Sequence, residues 1–412
     1  MTPARRDLLR IYRAALSAVD GRARVAAALA RRPTPAAIHL LALGKAAEAM
    51  AEGAWDVWGD HIVQGLLITK HGHVDRRRWA PRPVRVIEAG HPLPDHHSLE
   101  AGDALLRYLA EAPADARFLF LISGGASALA EALAPGASLE DLQGLNRHLL
   151  ASGADIHAIN RIRKAVSRLK GGRLARALGG RAALALLISD VRGDDPAVIG
   201  SGPLTASRVE AVRREELPPE FARLWLAEPA PGPDDPAFAA IELELIARND
   251  DALAAAAERA AALGYAVHRY ERFVDGEAAE AGERLARELA HGPAGIHLWG
   301  GEPTVTLPPR PGRGGRAQSL ALAATTVLDG RDGLFLLAAG SDGSDGPGDD
   351  AGALVDGATL RRCRDAGIDP LRALAAADAG TALAASGDLI QTGPTGSNVM
   401  DIMIGLKTDP LA

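Results

Sequence analysis

Residues 184–203 read L-A-L-L-I-S-D-V-R-G-D-D-P-A-V-I-G-S-G-P, and the abrupt change of character within them decides the fold class. The apolar run Leu184–Ile188 reads as a buried strand and breaks at Ser189-Asp190. Two further carboxylates, Asp194 and Asp195, follow among the turn formers Gly193, Pro196, Gly200, Gly202 and Pro203. Acidic groups on glycine-rich backbone, at the carboxyl end of a buried strand, lie where open α/β sheets hold ligand and metal. A tight surface loop would use Asp and Gly for turns alone. Recurrence separates the two readings, because other apolar runs end the same way.

Working outward, Ile38–Leu43 is a short strand whose Gly44-Lys45 leads into the Ala-rich helix Ala46–Trp55. Ile62–Thr69 and Val84–Glu88 are further strands. Phe118–Ile122 is a fourth, followed by Ser123-Gly124-Gly125-Ala126-Ser127 and another Ala-rich helix. Strands alternating with helices at this spacing predict parallel βαβ units, so the first half is a doubly wound α/β domain. Ahead of it, residues 5–30 carry Leu8, Leu9, Ile11, Tyr12, Ala15 and Val19 on helical spacing and predict one amphipathic helix. Prolines and acids crowd Leu217–Pro236, which marks a border near residue 235 and divides the chain into domains 1–235 and 236–412. Beyond the border, Ile241–Ile246, the helix Asp251–Leu263 and Ala266–Tyr270 predict the start of a second α/β unit. Two more strand edges follow, Ile296–Trp299 into Gly300-Gly301-Glu302 and Leu334–Ala339 into Gly340-Ser341-Asp342-Gly343.

A chain of 412 residues is too long for one core, which agrees with two domains. The formal charge of −6 gives no basic face for nucleic acid. Cys363 is the single cysteine, which rules out a disulfide within the chain and a cysteine-based metal site. No stretch approaches the roughly 20 uninterrupted apolar residues of a membrane span, and residues 1–25 hold no apolar run of signal-peptide length. A cytoplasmic protein is the expectation.

The strand ends supply candidate chemistry. Lys45 at a helix start opposes the positive end of the helix dipole, at a cost of a few tenths of a kcal/mol unless an anion is present, so a phosphate or carboxylate partner is expected there. The segment is not a Walker A loop, since residue 39 is histidine and Ala46 stands where Ser or Thr is required. Ser123, Gly124, Gly125 and Ser127 offer free N–H groups and hydroxyls as an anion cradle. Within Asn160–Arg173, Arg161, Lys164 and Arg168 recur on one helical side and are able to neutralise a polyphosphate, while the remaining cations read as a solvated face. Arg316 follows Gly312-Arg313-Gly314-Gly315 at another helix start, and the acidic run Ser341–Asp350 suits Mg²⁺ or Ca²⁺. Thr392–Asn398 adds small hydroxyls and amides. Cations at helix starts, Gly/Ser cradles and carboxylates are together the parts of a phosphoryl-transfer site.

These segments, taken in order, carry a resemblance. L-G-K-A-A, S-G-G-A-S-A, I-N-R-I-R-K-A-V-S-R-L-K-G-G-R-L-A, L-L-I-S-D-V-R-G-D-D-P-A-V-I-G-S-G-P, G-G-E-P-T-V, G-R-G-G-R, S-D-G-S-D-G-P-G-D-D-A-G-A and G-P-T-G-S-N-V-M-D fall as in the class II glycerate kinases with a C-terminal MOFRL domain, long mislabelled as hydroxypyruvate reductases. The chain resembles them over roughly residues 8–407. The resemblance implies ATP- and Mg²⁺-dependent phosphorylation of D-glycerate at the 2-hydroxyl, in a cleft between a Rossmann-like domain and the MOFRL domain. It implies Lys45, Asp190 and Arg316 as catalytic residues, and Asp190 with Asp194 or Asp342 is expected to hold the metal or orient the attacking hydroxyl. It implies phosphate and substrate contacts from Gly44, Ser123, Gly124, Gly125, Ser127, Arg161, Lys170, Glu302, Asp342 and Asn398. A small hydroxy acid and a nucleotide are the expected partners, with no nucleic acid or membrane, in a monomer or homodimer. Some positions depart from the family pattern. Ala317-Gln318-Ser319 replaces the usual Asn-Gln-Glu after the arginine, Arg192 replaces the usual proline after Asp-Val, and Ser341 replaces the usual threonine. Three other readings follow from the name and the departures. They are an NAD(P)H-dependent hydroxypyruvate reductase, against which no G-x-G-x-x-G occurs, a kinase of a related hydroxy acid, and a non-catalytic sugar-acid or nucleotide sensor.

Overall fold

The computed structural model describes residues 2–151, 156–207 and 210–408. The first sheet holds β1 Ile38–Leu43, β2 Ile62–Lys70, β3 Val84–Ala89, β4 Phe118–Ile122, β5 Ala183–Ile188 and β6 Ile241–Ala247. All neighbours are parallel, in the order β3-β2-β1-β4-β5-β6. The chain steps from β1 to one edge and then returns to the other side of β1 with β4, so the direction of winding switches between β1 and β4. In open α/β sheets that is where ligands bind. β1 and β4 are buried at every residue, which explains their nearly unbroken apolar sequences. β6 alternates Ile-Glu-Leu-Glu-Leu as a half-exposed edge strand should, and Glu242 and Glu244 pair with Arg31 and Arg32.

The second sheet holds β7 Val267–Arg269, β8 Gly295–Gly301, β9 Leu334–Gly340, β10 Gly352–Asp356, β11 Leu389–Ile390 and β12 Asp401–Lys407, in the order β11-β10-β9-β12-β8-β7. Only β7 and β8 run parallel; the other pairs are antiparallel. The helices Ala278–His291 and Arg316–Leu328 pack together over this sheet, burying Leu285, Leu289, Leu320 and Ala324 with Trp299 and Met403. Their backbones approach so closely that a Cβ at Gly282 would collide with the Leu320 carbonyl oxygen.

The chain divides into two compact units, Gly21–Ala247 and the combination of Met1–Asp20 with Arg248–Ala412. This corrects three expectations. The single helix over 5–30 is two, Pro3–Ala18 and Gly21–Ala30. The first belongs with the C-terminal chain, since Tyr12 Oη donates to Gly340 O at 2.7 Å and Arg5 pairs with Asp356 and Asp388. The border therefore lies at 247/248 rather than 235, and the start of the chain changes sides. Ile241–Ile246 closes the first sheet instead of opening the second, because its backbone pairs in parallel register with β5. Among the described residues no helix is long and apolar enough to cross a membrane.

Candidate active site

At the winding switch the ends of β1 and β4 are stitched together. Ser123 N donates to Leu43 O at 3.0 Å, Lys45 N donates to Gly124 O at 2.9 Å, and Ala46 N donates to Ser123 Oγ at 3.0 Å. Gly44 adopts φ 127°, and a Cβ there would collide with Ser123 Oγ. The turn thus needs a glycine for both conformation and space. No side chain caps the helix Ala47–Trp58, which starts from Ala46, so its first turn presents uncapped N–H groups. Gly125 lies in the left-handed region, and a Cβ there would stand 3.0 Å from the His91 ring and 3.2 Å from Lys45 Cγ. Lys45, the glycine turn and His91 therefore converge. Ser127, two residues past Gly125, shares an Oγ–Oγ hydrogen bond with Ser201 at 2.9 Å. Asp190 stands one residue past Ser189, whose N–H donates to Ala247 O at the end of β5. Asp194 holds a positive φ of 54° on the following loop. Of the sequence-derived candidates, Gly44, Lys45, Ser123, Gly124, Gly125 and Ser127 share this place, with Asp190 at the neighbouring strand end.

Arg161 and Lys170 stand apart from it in what they bond. Arg161 is ion-paired with Glu216 at 2.7 Å. Lys170 Nζ lies 2.5 Å from Glu131 Oε2, with side chains 6% and 1% exposed, and Ser167 Oγ donates to the other oxygen of Glu131 at 2.5 Å. The Lys170 charge is already matched inside the protein. Sequence alone does not reveal Glu131 as a partner, because 39 positions separate the pair.

In the other unit, Arg316 opens the helix Arg316–Leu328. Its Nε and Nη2 donate to the two oxygens of Asp401 at 2.7 and 3.1 Å, and Nη1 donates to Glu302 at 2.7 Å. Burial alone would lower the guanidinium, but the charges of Asp401 and Glu302 and the bonds to them leave it raised. Asp345 accepts Ala317 N at 3.0 Å and Gln318 N at 2.7 Å, capping this helix. Burial first, and then the Asp401 charge, push Asp345 up to about 7. Asp401 is raised as well, by burial against the opposing pull of Arg316. Glu302, Asp345 and Asp401 thus make an acidic cluster around one arginine, Asp342 adds its charge to that of Asp401, and Asp342 and Asn398 are nearly buried. Position 317, where the family pattern has Asn, is a fully buried Ala, and Ser319 is 5% exposed. Asp345 and Asp401 lie inside the motifs quoted above without standing out there, since only the fold shows that they face Arg316. Among the described residues no group of three or more His, Cys, Asp or Glu has the geometry to hold a metal.

A parallel sheet with a cation and a glycine cradle at its winding switch, joined in one chain to a mixed-sheet unit bearing an Arg–carboxylate cluster, defines a two-unit α/β phosphotransferase. Residues 7–215 match a family described as a domain of unknown function (DUF4147), and residues 295–401 match the MOFRL family. The chain is 36% identical to D-glycerate 2-kinase of Thermotoga maritima over 90% of this chain and 90% of that one. It is 37% identical, over 97% of this chain and 93% of the other, to an Agrobacterium vitis protein provisionally named a hydroxypyruvate reductase. The crystal structure of glycerate kinase from Thermotoga maritima superposes with a TM-score of 0.83 at 34% identity, covering 98% of this chain and 99% of that one. The chain belongs to the glycerate kinase family with a C-terminal MOFRL domain.

Proposed function

We infer that this chain is a glycerate 2-kinase, which transfers the terminal phosphoryl group of ATP to the 2-hydroxyl of D-glycerate to give 2-phosphoglycerate and ADP. The observation that carries the reading is the convergence of Lys45 with the Ser123–Ser127 turn at the winding switch of the parallel sheet, together with kinase relatives that span most of the chain. Phosphoryl transfer needs little covalent chemistry from the protein; positioning and charge stabilisation supply the rate.

Lys45, Asp190 and Arg316 are the residues we propose as catalytic. Lys45 neutralises charge on the transferred group, and the backbone N–H groups of the glycine turn and the uncapped helix receive phosphate oxygens. Asp190 orients the attacking 2-hydroxyl and accepts its proton. Mg²⁺, which typically takes one or two carboxylates plus phosphate oxygens and water rather than an all-protein cage, suits Asp190 with Asp194, two carboxylates on the loop that follows β5. When bound there it offsets phosphate charge. Arg161, Lys170, Glu302, Asp342 and Asn398 remain proposed ligand contacts. Action in the cytoplasm as a monomer or homodimer completes the proposal.

An ADP-release assay with glycerate and ATP-Mg²⁺, with the phosphorylated carbon fixed by NMR, tests this reading. Turnover of the purified protein with 2-phosphoglycerate as product is expected; no ADP release would overturn it. The name carried by the Agrobacterium vitis relative motivates one second reading. NADH oxidation by hydroxypyruvate, followed by absorbance, would establish the reductase, and no oxidation is expected.

A further inference from the structure

Within the Gly21–Ala247 unit a cavity of about 220 Å³ is lined by Gly125, Ser127, Glu131, Asn146, Arg163 and Lys170, with the His91–Pro94 turn beside them. It holds roughly seven water volumes at about 30 Å³ each, the non-hydrogen size of a three-carbon hydroxy acid and far below that of a nucleotide. Its wall is continuous with the cradle, because Gly125 and Ser127 belong to both.

The charges around it decide what it takes. Lys170 and Glu131 are closed on each other at 2.5 Å and contribute no net charge. Arg163 is different. Its Nε donates to Asn146 Oδ1 at 3.0 Å, and that is its only hydrogen bond among the described residues. Nη1 and Nη2 therefore carry N–H donors with no protein acceptor there. A guanidinium stays charged in a protein, and this one is partly stripped of water; burial lowers it while the nearby Glu131 charge works the other way. The Asn146 amide, on a residue 7% exposed, also has its nitrogen unengaged among the described residues. With His91 of the flanking turn counted as neutral, the cavity therefore offers one net positive charge, a planar fork and an amide donor. A carboxylate monoanion matches both the charge and the fork. A phosphoryl dianion would stay one charge short and would face Glu131.

We propose that Arg163 receives the carboxylate of the acceptor acid, held in this cavity with its hydroxyl end toward Ser127 and the glycine turn. This rests on the kinase reading and adds the residue that makes the substrate an acid rather than a polyol. Asn146 is a positioning residue, holding the Arg163 fork through Nε.

The test uses the full chain with Arg163→Met, Arg163→Lys and Asn146→Ala. Steady-state ADP release is measured with glycerate and with its uncharged amide, and glycerate binding is measured by calorimetry without nucleotide. For Arg163→Met, the KM for glycerate should rise on the order of 100-fold, with the KM for ATP within about threefold, because a charge-assisted bidentate contact is lost. The preference for acid over amide should collapse by a similar factor. Arg163→Lys, which keeps the charge without the fork, should fall between, and it carries the test if the methionine variant does not fold. Asn146→Ala should raise the KM for glycerate about tenfold without changing that for ATP, as expected for one lost hydrogen bond to a charged group. A glycerate KM within about threefold of wild type in both arginine variants, or an unchanged acid-over-amide preference, would overturn the proposal while leaving the kinase reading intact. If wild type binds glycerate without turning it over and Arg163→Met abolishes that binding, the kinase reading fails and the carboxylate site stands.

Discussion

The two units hold charge in opposite ways. In the Gly21–Ala247 unit, backbone and cations prevail: an uncapped helix start, a serine–glycine turn, Lys45, and an arginine whose fork meets no described acceptor. In the other unit a single arginine is surrounded by carboxylates, all three of its arms are bonded, and two of those carboxylates are raised by burial. The first arrangement is ready for an anion to arrive. The second is already satisfied internally, and it stores its sensitivity in protonation. Preorganised donors cost nothing further at the moment of reaction, whereas a buried ionic cluster is costly to disturb and adds little by its mere presence.

That contrast can be broken in order of effect. Arg316→Met should do the most damage to its own unit, since Asp401 at 3% exposure would lose its partner. Removing one member of a buried pair costs about 3–5 kcal/mol, to be read as a lower thermal transition. Lys45→Ala should leave that transition nearly unchanged but lower kcat on the order of 100- to 1000-fold; a kcat within a few-fold of wild type would remove Lys45 from the mechanism. Gly44→Ala should cost about 1–3 kcal/mol through a strained backbone and crowding, because its φ is 127° and Ser123 Oγ occupies the space of the new methyl. Circular dichroism melts should show the loss, with turnover falling alongside as the ends of β1 and β4 shift.

The smallest effect concerns pH. Asp345 is raised from 3.8 to about 7, so its stabilising contribution is complete below the unfolded value and is lost as pH climbs through the window between the two. Asp345→Asn, which keeps an oxygen for one of the two helix N–H groups, should flatten the stability–pH profile from about 4 to 7. Denaturant melts at half-unit intervals would show this, and an unchanged slope would mean that Asp345 does not titrate there.

Much of this is legible without the fold. The strand at Leu184–Ile188 and its acidic end, the Gly44-Lys45 and Ser123–Ser127 turns, and Arg316 at a helix start are local patterns, and local patterns survive into the structure. What stays hidden depends on partners far along the chain. In sequence Glu131 is one more residue after a glycine turn, yet it neutralises Lys170. Arg163 reads as part of a solvated face, because helical spacing alone does not tell a half-buried arginine beside a cavity from an exposed one such as Arg168. The edge strand Ile241–Ala247 reads into the wrong unit because the proline-rich excursion before it resembles a linker, while the pairing that places it is made across the sheet with β5. The two-residue strand Leu389–Ile390 carries too few residues to announce itself.

The helix Pro3–Ala18 has one more consequence. Tyr12 and the Gly340 carbonyl that receives its hydroxyl are 328 positions apart. At a synthesis rate of about 5–20 residues per second, the opening helix waits roughly 15–65 seconds on the ribosome for its berth to be made, with Leu8, Ile11 and Tyr12 uncovered meanwhile. The parallel sheet is translated in full during that delay, so this helix leaves the tunnel before the sheet and docks after it.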